Sequence, residues 1–292
     1  MNESPATAQQ SVIAQFRALH ASGCFVLPNP WDAGTAVYLQ RLGFKALATT
    51  SAGAAFSQAR PDDTPALPLA DMLAHFRAIV QATPLPVNAD FQSGYAHEPA
   101  GVATNVRSCI ATGVAGLSIE DNTGDTAAPL YERTLAVERM AAARSAIDAS
   151  GAPVVLTGRC EAWLVDAPDP LRVALDRLVA YAEAGADCLY APGVRDPDEI
   201  AQIVRAVAPK PVNVLVSRPS PDLSVARLTD LGVRRISVGS ALALVAWSAF
   251  MRAARGIAET GSFDALGDAV PYAEVNDLFR GRREEPEGTT RG

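Results

Sequence analysis

The stretch PVNADFQSGYA, residues 86–96, passes from an apolar run into an acid, Asp90, and then into a Gly-Tyr turn. A short apolar run bounded by turn residues is typical of a buried strand. Asp90 ends this run, and the neutral Gln92 follows two positions later. Polar groups therefore lie where folding alone does not require them. The same succession of apolar strand, polar strand end and helix recurs along the chain.

Eight segments are predicted as strands: 24–29, 46–51, 85–91, 116–121, 153–160, 187–192, 211–217 and 234–240. Segments with helical periodicity separate them, and several end in glycine, the usual residue just past a helix C-terminus. Strands that are apolar on both faces and alternate with helices predict a parallel sheet, and eight such units predict an α/β fold, a (β/α)8 TIM-type barrel. The alternative is a doubly wound open sheet, whose nucleotide-binding glycine fingerprint is absent from the sequence.

The predicted domain organisation is one barrel with helical additions. We expect an N-terminal helix in residues 1–24, the barrel in residues 25–260 and a C-terminal helix in residues 261–280, with helical sequence from 264. Residues 281–292 are charged and contain Gly and Pro, which predicts a disordered tail.

Composition and charge narrow the classes of partner. The 292 residues carry a formal charge of −7, which argues against nucleic acid and anionic membranes, because both attract basic surfaces. The first residues, MNESPATAQQ, do not resemble a signal peptide, and apolar stretches such as ALALVAWSAF are shorter than a membrane span. The four cysteines lack CxxC spacing, so we expect a reduced, cytoplasmic protein.

Polar residues at the predicted strand ends indicate where the chemistry lies, because active sites of such barrels form at the C-terminal ends of the strands. Asp90 and Glu120 end neighbouring strands, and Gln92 lies close to Asp90. Two carboxylates with further oxygen donors suit Mg²⁺, with Mn²⁺ as the alternative, whereas the scattered histidines do not suggest a zinc site. An ion-pair network with Arg159 would explain the two acids equally well, and both interpretations stay open.

Arg159 ends the predicted fifth strand and faces the same cavity. A guanidinium group binds a carboxylate through two parallel hydrogen bonds, so Arg159 is a candidate for gripping a substrate carboxylate. Pairing with Glu161 or Glu120 is the alternative, and it is compatible with ligand binding.

Five short motifs in this order resemble the isocitrate lyase/phosphoenolpyruvate mutase superfamily: TTSAG (49–53), RPDD (60–63), ADFQSGYA (89–96), GLSIED (116–121) and TGRCEA (157–162). Each motif is weak alone, but all five lie at or near the ends of predicted strands, and the resemblance extends over about residues 25–258. It implies a barrel whose eighth helix is swapped between neighbouring subunits, in a homotetramer built as a dimer of dimers.

The resemblance also implies roles for individual residues. Asp90 would bind the metal directly, Glu120 would bind it through a water, and Gln92 would orient a metal-bound water. Catalysis would use Arg159, Glu120 and Asp62, the last on a mobile loop of residues 54–68 in which Asp63 is the alternative acid. The substrate would be held by Arg159 together with a set of smaller residues: Ser51, Ala52, Gly53 and Asn213.

Two departures from the family pattern bear on function. Lyases for isocitrate and methylisocitrate carry a K-x-C-G-H loop after the fourth strand, where this chain has NTGDTAAPLYE (122–132), without Lys, Cys or His. This difference argues against those two activities, and the lysine loop of the phosphonopyruvate branch is missing as well. In the second departure, Gln92 replaces an acid of the family's D-x-D-x-G-Y pattern and so reduces the negative charge near the metal.

The leading hypothesis is a Mg²⁺-dependent lyase that cleaves a C–C bond next to a 2-oxo or 2-hydroxy carboxylate through a pyruvate-enolate-like intermediate. Oxaloacetate decarboxylation or hydrolysis, C–P bond mutase or hydrolase chemistry, and non-catalytic binding of a 2-oxo acid are the alternatives. The sequence leaves the proton donor open among Asp62, Glu161 and Tyr190.

Overall fold

The computed structural model describes residues 5–280 of the chain. The chain divides into two units, Met1–Ala243 and Leu244–Gly292. The tail predicted for residues 281–292 lies outside the described residues.

The first unit contains eight parallel strands, which confirms the predicted (β/α)8 barrel. Each strand lies inside one of the eight predicted segments, and the strands are β1 (Phe25–Leu27), β2 (Leu47–Ala48), β3 (Val87–Asp90), β4 (Gly116–Glu120), β5 (Val155–Arg159), β6 (Cys188–Tyr190), β7 (Val212–Leu215) and β8 (Arg235–Ser237). The sheet order is β1-β8-β7-β6-β5-β4-β3-β2. The remaining edge is bridged by a hydrogen bond of 3.0 Å from the Ala48 amide to the Pro28 carbonyl.

Helices surround the strands, as expected for a parallel sheet that is covered on its outer face. They are α1 (Pro5–Ala21), α2 (Ala33–Arg41), α3 (Ser51–Ser57), α4 (Leu69–Ala82), α5 (Pro99–Ile110), α6 (Arg133–Ser150), α7 (Pro170–Glu183), α8 (Pro197–Val207) and α9 (Val225–Asp230). The next helix, α10 (Ala241–Thr260), begins in the last residues of the first unit. One difference from the sequence analysis concerns the predicted mobile loop of residues 54–68. Its first four residues belong to α3, whose start is capped by the Thr50 side chain, so the loop runs from 58 to 68.

Helix α1 closes the N-terminal end of the barrel. The Gln9 side chain donates hydrogen bonds to the carbonyls of Ile110 and Val114, just before β4, and Arg17 donates to the Pro153 carbonyl, just before β5. Phe16 is fully buried, and a Cβ atom at Gly116 would lie 2.7 Å from its ring. The polar cavity of the barrel is therefore reached from the opposite end, where the strands terminate.

The second unit begins within α10 and continues with a 3₁₀ helix (Asp264–Asp268) and α11 (Tyr272–Arg280). One continuous helix was expected over 264–280, but the helical structure is broken before Pro271, because a proline disfavours helical geometry in the residue preceding it. By length and composition alone α10 could cross a membrane, but it is the only such helix among the described residues and is weak evidence for a span.

Candidate functional site

Three charged residues form the centre of the site, each as the last residue of its strand. Asp90 ends β3, Glu120 ends β4 and Arg159 ends β5, and the register pairs Glu120 with Arg159 directly. Arg159 Nη1 lies 3.3 Å from Asp90 Oδ1 and 3.1 Å from Glu120 Oε2. The structure therefore brings together the three side chains that the sequence analysis placed at one rim of the barrel.

Glu161 binds the other side of the guanidinium group. Arg159 Nε donates to Glu161 Oε1, and Nη2 donates to Glu161 Oε2 at 3.1 Å. This is the ion-pair alternative considered from the sequence, and it leaves Nη1 for Asp90 and Glu120. The side chains of Glu120 and Glu161 are only 5% and 3% exposed, so each depends on Arg159 for its counter-charge.

Asp121 is a supporting residue to which the sequence analysis gave no role. Its Oδ1 accepts from the Glu161 amide at 2.8 Å, while its Oδ2 accepts from Tyr181 at 2.7 Å and from Arg177 at 3.1 Å. Asp121 follows Glu120 directly, so strand alternation turns it outward, towards α7. Helix α7 therefore fixes the position of Glu161, and through it the orientation of Arg159.

Burial and the neighbouring opposite charges shift the pKa values of these groups in opposite directions. Burial raises the pKa of Glu120 well above its ordinary value, and Arg159 opposes part of that rise. Burial also raises the pKa of Glu161, again against the opposing effect of Arg159. Burial alone would lower the pKa of Arg159, but the charges of Glu120, Glu161 and Asp90 outweigh it, so the pKa lies well above its ordinary value. The guanidinium group therefore remains charged at neutral pH.

The donor set fits a hard divalent cation better than a soft one. Asp90 and Glu120 offer carboxylate oxygens that are both within 3.3 Å of one nitrogen, so they are close enough to share one ion or its waters. Within residues 5–280 no group of three or more His, Cys, Asp or Glu side chains is arranged to hold a metal. A metal here would keep several water or substrate ligands, which is the habit of Mg²⁺ rather than of structural Zn²⁺.

The backbone amides predicted to bind the substrate carboxylate lie at the start of α3. The Ser51 amide donates to Asp90 Oδ2 at 3.0 Å, and the Gly53 amide donates to the Thr50 hydroxyl at 3.3 Å. A Cβ atom at Gly53 would lie 2.6 Å from the Cβ of Trp31, so only glycine allows this close packing. Ser51 and Ala52 are buried beside it, and the segment is thereby fixed next to Asp90.

Asp62 lies on the loop of residues 58–68 and reaches back to this segment. The nearby Ser51 side chain acts to lower the pKa of the Asp62 carboxyl group. Asp62 is an exposed residue, yet partial burial of its carboxyl group, together with the charge of Asp90, raises its pKa to about 6. Asp63 instead contributes its backbone carbonyl, which accepts a hydrogen bond from Gln92.

Gln92 is oriented differently from the expectation that it would serve the metal. All three hydrogen bonds of its side chain go to Asp63, Ala66 and Tyr95, at 2.9, 2.9 and 3.1 Å. Its backbone φ of +43° accounts for this orientation, because a left-handed residue interrupts the alternation that would otherwise direct Gln92 to the same side as Asp90.

A cavity of about 60 Å³ lies inside the barrel and is lined by Asp90, Arg159 and Asn213. Asn213 donates to the Ser237 hydroxyl at 2.9 Å and accepts from Arg235 at 2.9 Å, so both ends of its amide have a partner. Tyr190 also lines the cavity, with its ring centroid 5.4 Å from the Arg159 guanidinium carbon. From the sequence, Tyr190 was a candidate proton donor, whereas its register opposite Arg159 makes it a wall of the guanidinium pocket.

The segment after β4 has no acid–base group of the lyase type. Residues 122–132 form a small antiparallel bridge between Asn122 and Leu130 and contain no Lys, Cys or His. Together with Asp62 and Asp63, this segment lines a second cavity of about 360 Å³. The polar side chains that line this cavity are carboxylates and neutral groups.

Comparison with known proteins finds a family whose model matches most of this chain. The family model described as phosphoenolpyruvate phosphomutase matches residues 16–258. The solved structure of a candidate lyase/mutase from Burkholderia cenocepacia is 46% identical with a TM-score of 0.89, and the match covers 94% of this chain and 97% of that one.

Two curated relatives extend the comparison. An uncharacterized protein of Mycobacterium tuberculosis is 34% identical over 262 residues, which are 89% of this chain and 94% of the relative. The 2,3-dimethylmalate lyase of Eubacterium barkeri is 28% identical over 260 residues, 87% of this chain and 89% of the lyase. Related proteins also include 2-methylisocitrate lyase, oxaloacetate decarboxylase and oxaloacetate acetylhydrolase, and members are generally metal-dependent. This chain belongs to the isocitrate lyase/phosphoenolpyruvate mutase superfamily of lyases and mutases.

Proposed function

We propose that the protein is a Mg²⁺-dependent lyase that cleaves a C–C bond next to a 2-oxo or 2-hydroxy carboxylate and releases a pyruvate-like product. The observation that carries the proposal is the position of Arg159 Nη1 between the carboxylates of Asp90 and Glu120. A guanidinium group that can bind a carboxylate lies there beside two carboxylates that can bind a metal, and this arrangement supports the proposal. The similarity to 2,3-dimethylmalate lyase supports the same reaction class.

Asp90 would hold the metal directly and Glu120 would hold it through a water. When bound, the metal supplies positive charge that stabilises the negative charge developing on the 2-oxygen as the neighbouring C–C bond breaks, a contribution of several kcal/mol. Glu120 lies deeper than Asp90, with 5% of its side chain exposed against 17%. This difference in depth supports the two separate roles.

Arg159 would bind the substrate carboxylate from the Nη1 side. Glu161 occupies Nε and Nη2, so the fork with Glu161 keeps the guanidinium plane fixed while Nη1 faces the cavity. Tyr190 covers one face of the guanidinium pocket, and Ser51 to Gly53 limit the space on the opposite side of Asp90. These contacts orient the carboxylate and the 2-oxygen together.

Among the three candidate proton donors, the geometry favours Asp62. Glu161 is occupied by its fork with Arg159 and by burial. Burial raises the pKa of Tyr190 to about 12, which makes its proton difficult to transfer at neutral pH. The Asp62 carboxyl group, with a pKa raised to about 6, can both hold and release a proton near neutrality.

The test is a coupled assay for pyruvate over a panel of small 2-oxo and 2-hydroxy di- and tricarboxylates, with Mg²⁺ and with a chelator. We expect Mg²⁺-dependent pyruvate release from at least one branched 2-hydroxy dicarboxylate, with a second carbonyl or carboxylate product in equal amount. The proposal fails if no member of the panel yields Mg²⁺-dependent product.

Oxaloacetate decarboxylation or hydrolysis is the second candidate function. The absence of Lys, Cys and His from residues 122–132 favours it, because loss of CO₂ requires no acid–base group on that segment. Carbon dioxide in equal amount to pyruvate would identify decarboxylation, and oxalate would identify hydrolysis. Product from a phosphonate, or tight binding of a 2-oxo acid without turnover, would identify the two remaining alternatives.

We also propose that the protein works as a cytoplasmic homo-oligomer, a dimer of dimers with an exchanged eighth helix, as the superfamily resemblance implies. The large exposed apolar side chains of α10, among them Val245 and Phe250, support this assembly. Mass measurement in solution tests it, and a monomer at micromolar concentration would contradict it.

A further inference from the structure

The Gln92 side chain connects the end of β3 to the loop that carries Asp62. Its Oε1 accepts from the Ala66 amide, and its Nε2 donates to the Asp63 carbonyl, both at 2.9 Å. Gln92 is 4% exposed, and a buried amide normally finds such partners within the protein. The unusual feature is that both bonds go to the part of the loop that directly follows Asp62, residues 63–66.

The backbone that carries Gln92 is firmly held. The Gln92 carbonyl accepts from the Glu120 amide at 2.9 Å, which ties it to one of the proposed metal-site acids. The buried Arg139 of α6 donates to the carbonyls of Ser93, Ala96 and His97 and so braces the turn that follows. The side chain of Gln92 therefore extends from a fixed point on the rim.

The loop of residues 58–68 is held at its end by burial and in its middle by Gln92. Leu67 is 1% exposed and belongs to the core. Gly124, in the segment after β4, lies so close to the Thr64 carbonyl that a Cβ atom there would be 2.4 Å away. Before Pro61, the Arg60 amide donates to the Ala55 carbonyl at 3.0 Å, and after Asp62 the Asp63 carbonyl accepts from Gln92. The position of Asp62 therefore depends on these bonds on either side of it.

We propose that Gln92 is a positioning residue that holds the loop of residues 58–68, and with it the Asp62 carboxyl group, against the rim. An amide suits this task because it accepts from Ala66 and donates to Asp63 at the same time. A carboxylate at this position would retain only the acceptor function. It would also add negative charge beside Asp62 and Asp90, which already repel one another. The proposal rests on the proposed function in assigning Asp62 to the reaction.

The simplest alternative is that Gln92 only stabilises its own left-handed turn. In that case its loss would lower the stability of the whole protein without a specific effect on the loop. The two explanations predict different hydrogen-exchange rates for the Ala66 amide in Gln92 variants. They also differ in whether a Gln92 variant lowers turnover by displacing Asp62.

The first experiment measures hydrogen exchange of residues 58–68 in the full chain. Gln92→Met keeps the length of the side chain and removes both loop bonds, so we expect the Ala66 amide to exchange at least about tenfold faster. Gln92→Glu keeps the acceptor and loses the donor, so its exchange rate should lie between those of Gln92→Met and the wild type. Gln40→Met is the matched control, because Gln40 lies on α2, and exchange in the loop should not change. Unchanged exchange in both Gln92 variants would overturn the proposal.

The second experiment is a double-mutant cycle on the active substrate. Gln92→Met and Asp62→Asn should each lower kcat about tenfold or more with little change in KM, and the double variant should lose no more than Asp62→Asn alone. Multiplicative losses would show that Gln92 does not act through Asp62 and would overturn the proposal. If the wild type turns over no substrate, the proposed function fails, while the exchange experiment still decides whether Gln92 holds the loop.

Discussion

Replacing Arg159 by methionine removes one cation from between three carboxylates. Asp90, Glu120 and Glu161 all pair with Arg159, and the side chains of the latter two are 5% and 3% exposed. Methionine fills much of the space but leaves these acids without a counter-charge.

The expected cost follows from the burial of the stranded acids. Removing one partner of a buried ion pair typically costs about 3–5 kcal/mol, because the remaining charge is neither paired nor hydrated. We therefore expect the free energy of unfolding of Arg159→Met to fall by roughly that amount near pH 8. Arg133→Met is the matched control: its pair with Asp176 is 49% and 53% exposed, so its loss should cost no more than about 1 kcal/mol.

The stability of Arg159→Met relative to the wild type should change with pH in one direction. Burial raises the pKa values of Glu120 and Glu161, and without Arg159 they would rise further, so the folded variant binds protons that the unfolded chain releases. Stability of the variant relative to the wild type should therefore improve as the pH falls from about 8 towards 5.5, since protonation removes the unpaired charges.

Urea unfolding of both variants and the wild type at the two pH values measures these effects. A loss below about 1 kcal/mol in Arg159→Met near pH 8 would refute the reasoning, because it would mean that the acids find another counter-charge. An equal loss at both pH values would show that Glu120 and Glu161 do not titrate as the structure requires.

Three further predictions concern other parts of the molecule. Burial and the nearby Arg235 lower the pKa of His20 from 6.5 to about 3. As the pH falls below 6.5 the unfolded chain therefore takes up a proton that the folded protein does not, and at pH 5 the free energy of unfolding should be lower by about 2 kcal/mol. His20→Gln should remove this loss, as measured by urea unfolding. Gly53→Ala would place its Cβ 2.6 Å from that of Trp31 and should lower the melting temperature by several degrees, whereas Ala at the open Gly267 should leave it unchanged within about a degree. Asp90→Ala should abolish Mg²⁺-dependent turnover while the protein remains folded, and residual activity above about a hundredth of wild type would contradict its role.

The barrel could be predicted from the sequence because the pattern that specifies each strand and helix lies within that segment itself. Each strand lies in a short, mainly apolar run of sequence, and segments with helical periodicity separate these runs, so all eight strands lie inside the predicted segments. The convergence of Asp90, Glu120 and Arg159 follows from the same pattern, since last residues of neighbouring parallel strands meet at one edge.

The features that were not predicted depend on geometry beyond strand alternation. Gln92 turns to the loop because its backbone is left-handed, and no local pattern marks that conformation in a non-glycine residue. Tyr190 becomes a wall of the guanidinium pocket through a register that only the closed barrel defines. Helix α7 supports Glu161 through Asp121, by contacts between elements far apart in sequence.

The most direct test of the central claim is calorimetric titration of oxalate, which resembles a pyruvate enolate in its two adjacent oxygens, into the protein. With Mg²⁺ present, the wild type should bind oxalate, and both removal of Mg²⁺ and Asp90→Asn should weaken binding at least about a hundredfold, roughly 2.7 kcal/mol. Arg159→Met should lose binding even with Mg²⁺, because the carboxylate loses its cation. Equal binding with and without Mg²⁺, or unchanged binding in Asp90→Asn, would contradict the account.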